Sequence, residues 1–360
     1  MSIAGRGRRG RFSFMSTPSE IDLRIAGLLA ERDEPAILDL LRRGVIEPDQ
    51  VVVIAGAKAR LLAIAAAENY SPLALDLVAQ GADVNRKCFG RTALMDACEW
   101  RNHELIAALL AAGADTEARQ KAGEGEADDT PLMMSAERCD LRAVRQLLAA
   151  GADAGAVNRC GQSAVHGVLR CYSTGPGRHP DAREIVEQLL RAGAPLVGTE
   201  LHFAVYRRDV AMATLLLARG SPVNAPFPRN ERDGPTKGDT PLIAACRLNG
   251  VDLAGGSFGF EETDDARLEL VRRLLERGAD PDQPDAKGMT PLRIVVPRVV
   301  DDFQLSLAKI LLSAGADPHA APAGAKARSA AALATELGLS DFIELFGRAT
   351  GPGSRDAPAG

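Results

Sequence analysis

The chain has 360 residues, 46% hydrophobic and 25% charged, with a net charge of −5. This is the profile of a folded protein with no overall pull toward nucleic acid or anionic membrane. Aromatics are only 4%, so the core must be built from Ala, Leu and Val, which suits closely stacked helices better than a sheet sandwich. No apolar run approaches the roughly 18 residues of a membrane helix.

In chain order, residues 1–19 open with a basic stretch (Arg6, Arg8, Arg9, Arg11) that lacks the apolar segment of a secretory signal, and are expected to be a disordered arm. Amphipathic helical runs follow at regular intervals. Gly-Ala-Asp recurs at 81, 113, 151, 278 and 315, with degenerate copies at Gly193-Ala-Pro and Gly220-Ser-Pro. Most copies follow paired leucines, as at Leu109-Leu110, Leu147-Leu148 and Leu274-Leu275. Upstream of each lies a second run opened by Thr-Pro-Leu or a variant: Thr92-Ala-Leu, Thr130-Pro-Leu, Ser163-Ala-Val-His, Thr199-Glu-Leu-His, Thr240-Pro-Leu, Thr290-Pro-Leu and Ser329-Ala-Ala. Thr or Ser caps the first helix of each unit, and Pro fits its first position, where no N–H is needed. Gly after the leucines supplies the left-handed residue that ends the second helix.

Self-similarity at this period indicates a repeat array. The combined pattern resembles the ankyrin repeat, a β-turn and two antiparallel helices with a Thr-Pro-Leu-His opening and a Gly-Ala-Asp close. The resemblance implies an all-α solenoid of about nine helix pairs over residues 20–347. The diverged cap units span Leu23–Gly44 and Ser329–Phe346, and residues 348–360 form a disordered tail. Inserts near 119–129, 172–180, 225–239 and 249–265 lengthen turns or separate the helices of a pair.

Catalytic motifs are absent: no phosphate-binding glycine loop, metalloprotease helix or nucleophile elbow occurs. The six cysteines (88, 98, 139, 160, 171, 246) form no Cys-x-x-Cys pair and read as reduced thiols of a cytoplasmic protein. His166 and His202 occupy the motif's histidine position, where the resemblance implies a structural hydrogen bond. His103, His179 and His319 read as isolated surface residues. The spacing of Cys160, His166, Cys171 and His179 matches no common zinc site. No cofactor is expected. Ala-, Gly- and Arg-rich usage fits a GC-rich bacterial genome.

The resemblance also implies a concave groove lined by the turn tips and by the two variable positions that end each first helix. Those positions carry Trp100, Arg138, Arg170, Tyr206, Arg207, Arg247 and Arg298. With units spaced about 10 Å apart, the arginines are expected to form one solvent-facing, mutually repelling ladder. Arg138 also has Glu137 beside it as a candidate partner. Arg with Tyr and Trp is the composition of binding hot spots, and Arg grips carboxylates bidentately. The expectation is a monomeric, non-catalytic module that binds an acidic segment of another protein, its fold tolerating charge reversal at Arg207 and Arg247. The alternatives are nucleic acid or another polyanion held by the same arginines, and a regulatory protein acting through its inserts.

Overall fold

The computed structural model describes residues 19–54, 57–121, 128–174, 179–228, 237–247, 264–296, 302–320 and 328–349. Nine helix pairs occupy them. The first unit of the chain contains α1 (Glu20–Glu31) with α2 (Glu34–Arg42), α3 (Leu61–Ala67) with α4 (Ser71–Ala79), and α5 (Ala93–Glu99) with α6 (His103–Ala111). It continues with α7 (Pro131–Glu137) and α8 (Leu141–Ala149), then α9 (Ala164–Thr174) and α10 (Ala182–Arg191). The second holds α11 (Glu200–Tyr206) with α12 (Val210–Ala218), and α13 (Pro241–Arg247) with α14 (Asp264–Glu276). Its last pairs are α15 (Pro291–Val295) with α16 (Asp302–Ser313), and α17 (Ala330–Glu336) with α18 (Ser340–Ala349). Backbone contacts divide the chain into these two compact units: Met1–Cys171 with His179–Pro195, and Tyr172–Arg178 with Leu196–Gly360. The arm at 1–18, the tail from 350 onward and most of the 249–265 insert lie outside the described residues.

The first helices α3, α5, α7, α11 and α13 are short because they are wedged between neighbours and buried nearly all round. In α7, Pro131 through Ala136 are all buried. The second helices bury a single face, at i, i+1 and i+4: Leu105, Ile106 and Leu109 in α6, Ala143, Val144 and Leu147 in α8, Leu270, Val271 and Leu274 in α14. First helices pack on first helices (α3 on α5, α5 on α7; α11 on α13, α13 on α15) and second on second. Gly167 lets α9 approach α7 closely, since a Cβ there would sit 3.4 Å from the Glu137 amide nitrogen.

Local chemistry sets the boundaries. The hydroxyls of Thr92, Thr130, Thr240, Thr290 and Ser329 accept from the backbone N–H three residues on, as the sequence predicts. Thr199 departs from the pattern. Its own φ,ψ of −103°, −17° are already helical, and the buried Glu200 carboxylate accepts instead from Val197 N–H (3.1 Å) and Gly198 N–H (2.9 Å). Asp33, Asn102, Asp140 and Asp209 cap second helices, each following a residue at left-handed φ (Arg32, Arg101, Cys139, Arg208). The Gly-Ala-Asp glycines take φ of +83° to +92°, ending the second helices as expected.

Turns are joined from one repeat to the next by a recurring rung. The N–H groups of Asp83, Asp115, Asp153, Asp280 and Asp317 donate to Asp49, Asn85, Glu117, Asn224 and Asp282 respectively, at 2.7–3.1 Å. Gly155 and Pro195 break the series, one lacking an acceptor side chain and the other an N–H. Among the described residues the only strands are β1 (Val51–Ile54) and β2 (Ala57–Arg60), an antiparallel pair packed beside α1. The β-branched run Val51-Val-Val-Ile54 accounts for this hairpin.

Candidate protein-interaction surface

Of the seven sequence-predicted residues, Trp100, Arg138, Tyr206, Arg207 and Arg247 fall where their first helices end, Arg170 lies inside α9, and Arg298 lies outside the described residues. Trp100, Arg138 and Arg170 belong to the first unit, Tyr206, Arg207 and Arg247 to the second. Trp100 caps α5 with 45% of its surface exposed, and its indole N–H donates to the Ala67 carbonyl of the preceding repeat at 2.8 Å. The ring is therefore held in place while its face meets solvent.

The arginines are not a bare, mutually repelling row. Arg138 pairs with Glu99, and Arg170 pairs with Glu137. Glu99 also faces Arg91 (3.6 Å), which in turn holds Asp96 at 2.6 Å. Sequence neighbours on a helix diverge in direction. Arg170 reaches back one repeat to the equivalent Glu137, and Arg138 reaches back to Glu99, one position earlier in its helix, rather than to the adjacent Glu137. Both pairs stay about half exposed (45% and 40% for Arg138 and Glu99, 47% and 39% for Arg170 and Glu137). Ordinary surface pairs of this kind stabilise by about 0–1 kcal/mol.

Arg247 is held more deeply. Its Nε lies 3.0 Å from Asp239, and its Nη2 pairs with Asp285. The two carboxylates are 3% and 2% exposed. Asp285 also accepts from the N–H groups of Lys287 (2.8 Å) and Met289 (2.7 Å), closing its own turn. Burial pushes the Asp239 carboxyl up to about 6, against the pull of Arg247 and with the help of Asp285. Arg207, at the end of α11, is partly buried, and its Nε is out of contact with solvent. Charge reversal at Arg247, expected from the sequence to leave the fold intact, would instead gather three acids in one enclosed turn.

The motif histidines play the structural part the resemblance implied. Nε2 of the buried His202 bonds to the Asp239 carbonyl at 2.9 Å, and His166 bonds to Gln162 at 2.8 Å. His103 is not isolated: its Nε2 lies 2.8 Å from both oxygens of the buried Asp140, which caps α8. Among the described residues no three His, Cys, Asp or Glu side chains converge as metal ligands would, and no helix is long and apolar enough to cross a membrane.

His202 and Asp239 give the second unit two opposed responses to pH. Burial lowers His202 to about 4, so folding loses stability as pH falls from 6.5 toward 4, where the unfolded chain takes up the proton. Asp239 is raised to about 6, so its contribution is present below about 4 and lost as pH rises through 6. The buried Glu200 is raised too and acts with Asp239. Relative to the parent chain, Asp239→Asn should therefore become more acid-labile between pH 6.5 and 4, and His202→Gln less so. Each difference should be on the order of 2 kcal/mol. Denaturant titrations across that range check it; parallel pH profiles for all three proteins would refute the assignment.

Short antiparallel helix pairs stacked through capped turns define the class of repeat proteins whose exposed edges bind other macromolecules. Residues 62–158 match a family model for three copies of the ankyrin repeat, and residues 237–286 match the model of a single ankyrin repeat. The chain is an ankyrin-repeat protein. Among solved structures it resembles the human ASB11 ankyrin repeat domain, at 24% identity and a TM-score of 0.50, over 72% of this chain and 100% of that one. It also resembles the ankyrin repeat domain of Bcl-3, a member of the IkappaB family, at 23% identity and a TM-score of 0.49, over 70% and 98%. No curated protein sequence matches it significantly. Ankyrin repeats are in general protein–protein interaction modules.

Proposed function

We propose that this chain is a non-catalytic, cytoplasmic protein-interaction module. It takes an acidic segment of another protein at the sequence-predicted positions, Trp100, Arg138 and Arg170 in the first unit or Tyr206, Arg207 and Arg247 in the second. The observation that carries this reading is the Trp100–Arg138–Arg170 series, about half exposed at the same or the adjacent position of three consecutive repeats. Trp100 is already oriented by its bond to Ala67, so little side-chain freedom is lost when a partner covers it. A guanidinium has five N–H donors. Incoming carboxylates can displace Glu99 and Glu137 from Arg138 and Arg170.

Trp100 is the sole tryptophan, so its fluorescence reports occupancy directly. Titration with poly-glutamate should shift the emission, poly-lysine should not, and Arg170→Ser should weaken the response about tenfold, a typical hot-spot effect. Preference for an oligonucleotide, with the steep salt dependence of counterion release, would replace the reading with a polyanion site. No response to any polyanion would remove the acidic-segment assignment.

A further inference from the structure

The third position after the Thr or Ser that opens a first helix holds Met95, Met133, His166, His202, Ile243 and Arg293 in successive repeats. Arg293 is the one permanently charged residue of that series. Nε2 of His202 bonds to the carbonyl of Asp239, the residue just before Thr240 of the next repeat, at 2.9 Å. In the same way, Nε of Arg293 donates to the carbonyl of Arg328, the residue just before Ser329 of the next repeat, at 3.1 Å. One nitrogen of the arginine therefore performs the structural task of the motif histidine.

The rest of the guanidinium is unused. An arginine has five N–H donors, and the bond to Arg328 takes one. The side chain is partly exposed, and neither of its Nη atoms is shut away from solvent without a partner. Arg247 in the preceding repeat is held by Asp239 and Asp285, whereas the charge acting on Arg293 is a like one. Burial, and then the neighbouring Arg328, push the Arg293 pKa below its usual value, and no carboxylate of the described residues pulls the other way. Arg328 is 56% exposed and pairs through Nη1 with Glu336. Two guanidiniums against one carboxylate leave a positive charge in excess here, on a chain whose net charge is −5. The adjoining stretches 297–301 and 321–327 lie outside the described residues and carry Arg298 and Lys326 against Asp301.

We propose that Arg293 and Arg328 form an oxyanion site that takes the dianion of phosphate or of a phosphomonoester where α15 packs on α17. The planar fork of arginine grips two phosphoryl oxygens at once, and two neighbouring guanidiniums match a dianion better than a singly charged carboxylate. A phosphoryl group beside them turns their repulsion into attraction. The structural bond alone does not explain the arginine, because an imidazole closes the equivalent junction at His202 without setting a second cation against the first. The site lies in the second unit and shares no residue with Trp100, Arg138 and Arg170 in the first. Its ligand is the free ion or the phosphorylated side chain of a partner protein, which present the same oxygens.

The test is calorimetric titration of the full chain with inorganic phosphate and with N-acetyl phosphoserine amide, at an ionic strength held constant with chloride. The pH is set at about 8, where the second phosphate proton, of pKa about 6, is lost. Arg293→His restores the motif residue and its bond. Arg328→Ser changes an exposed side chain and keeps the accepting carbonyl, so both variants should melt as the parent does. The expected result is phosphate binding that weakens roughly tenfold or more in Arg293→His and roughly fivefold in Arg328→Ser, the loss of charge-assisted hydrogen bonds. Binding to Arg170→Ser should equal that of the parent. A monoester that binds more tightly than inorganic phosphate supports a phosphorylated partner as the source, and the reverse order supports the free ion. Binding of neither probe at matched ionic strength would overturn the site. So would binding that stays within about twofold of the parent in both variants, or that is lost in Arg170→Ser instead.

Discussion

Arg247→Met is expected to destabilise the second unit by about 3 kcal/mol or more. That is the range for removing one member of a buried ion group and leaving the others uncompensated. Asp239 and Asp285 are almost wholly enclosed, and without the guanidinium between them they face each other as like charges. The loss should shrink at lower pH, because Asp239 already titrates near 6 and protonating it removes the repulsion between the two carboxylates. Adding Asp239→Asn and Asp285→Asn to Arg247→Met should recover a large share of the stability, since amides carry no net charge into the turn. Arg170→Met is the matched control: its pair with Glu137 is half exposed, and its loss should stay within about 1 kcal/mol. Urea titration of the four proteins separates the cases, and a loss below about 1 kcal/mol for Arg247→Met would show that the enclosed group contributes no more than a surface pair.

The contrast between those two arginines marks what the sequence displays and what it conceals. Thr92, Thr130, Thr240 and Thr290 act as caps and Gly113 or Gly278 as helix ends through chemistry confined to a few consecutive residues. The repeat and its stacked helix pairs were therefore legible. Thr199 failed as a cap because Glu200 beside it, fully buried, supplies a stronger acceptor to the same loop. Nothing in Thr-Glu-Leu-His announces that burial. The ion pairs were hidden for a different reason. Glu99 with Arg138, Glu137 with Arg170 and Asp285 with Arg247 are brought together by the stacking of successive repeats, so each looks like an unremarkable surface charge until the register across repeats is known.

Register across repeats also separates two sets of glycines that look alike in sequence, and this yields the second large effect. Gly238→Val should cost about 3 kcal/mol or more, and Gly113→Val only about 1–2 kcal/mol. Both positions have nearly the same left-handed backbone, φ +86° and +83°, so the intrinsic penalty of a side chain there is shared. The surroundings differ. A Cβ at Gly113 meets nothing within 4 Å, whereas one at Gly238 would lie 2.5 Å from the Ala286 Cβ and 2.9 Å from its backbone nitrogen. Gly90 stands in the same relation to Lys121, at 2.6 Å. In each case the turn of the following repeat crosses directly over the turn glycine, while the helix-ending glycines face open space. A backbone nitrogen cannot swing aside as a flexible side chain would, so relief at Gly238 requires the 285–289 turn to move. That turn is pinned by the bonds from Lys287 and Met289 to Asp285, and through Asp285 to Arg247. The two variants, compared by chemical denaturation at one pH, should differ by at least about 1 kcal/mol. Equal losses would mean that the turns of successive repeats do not lie in contact at Gly238, and the register of the second unit would have to be redrawn.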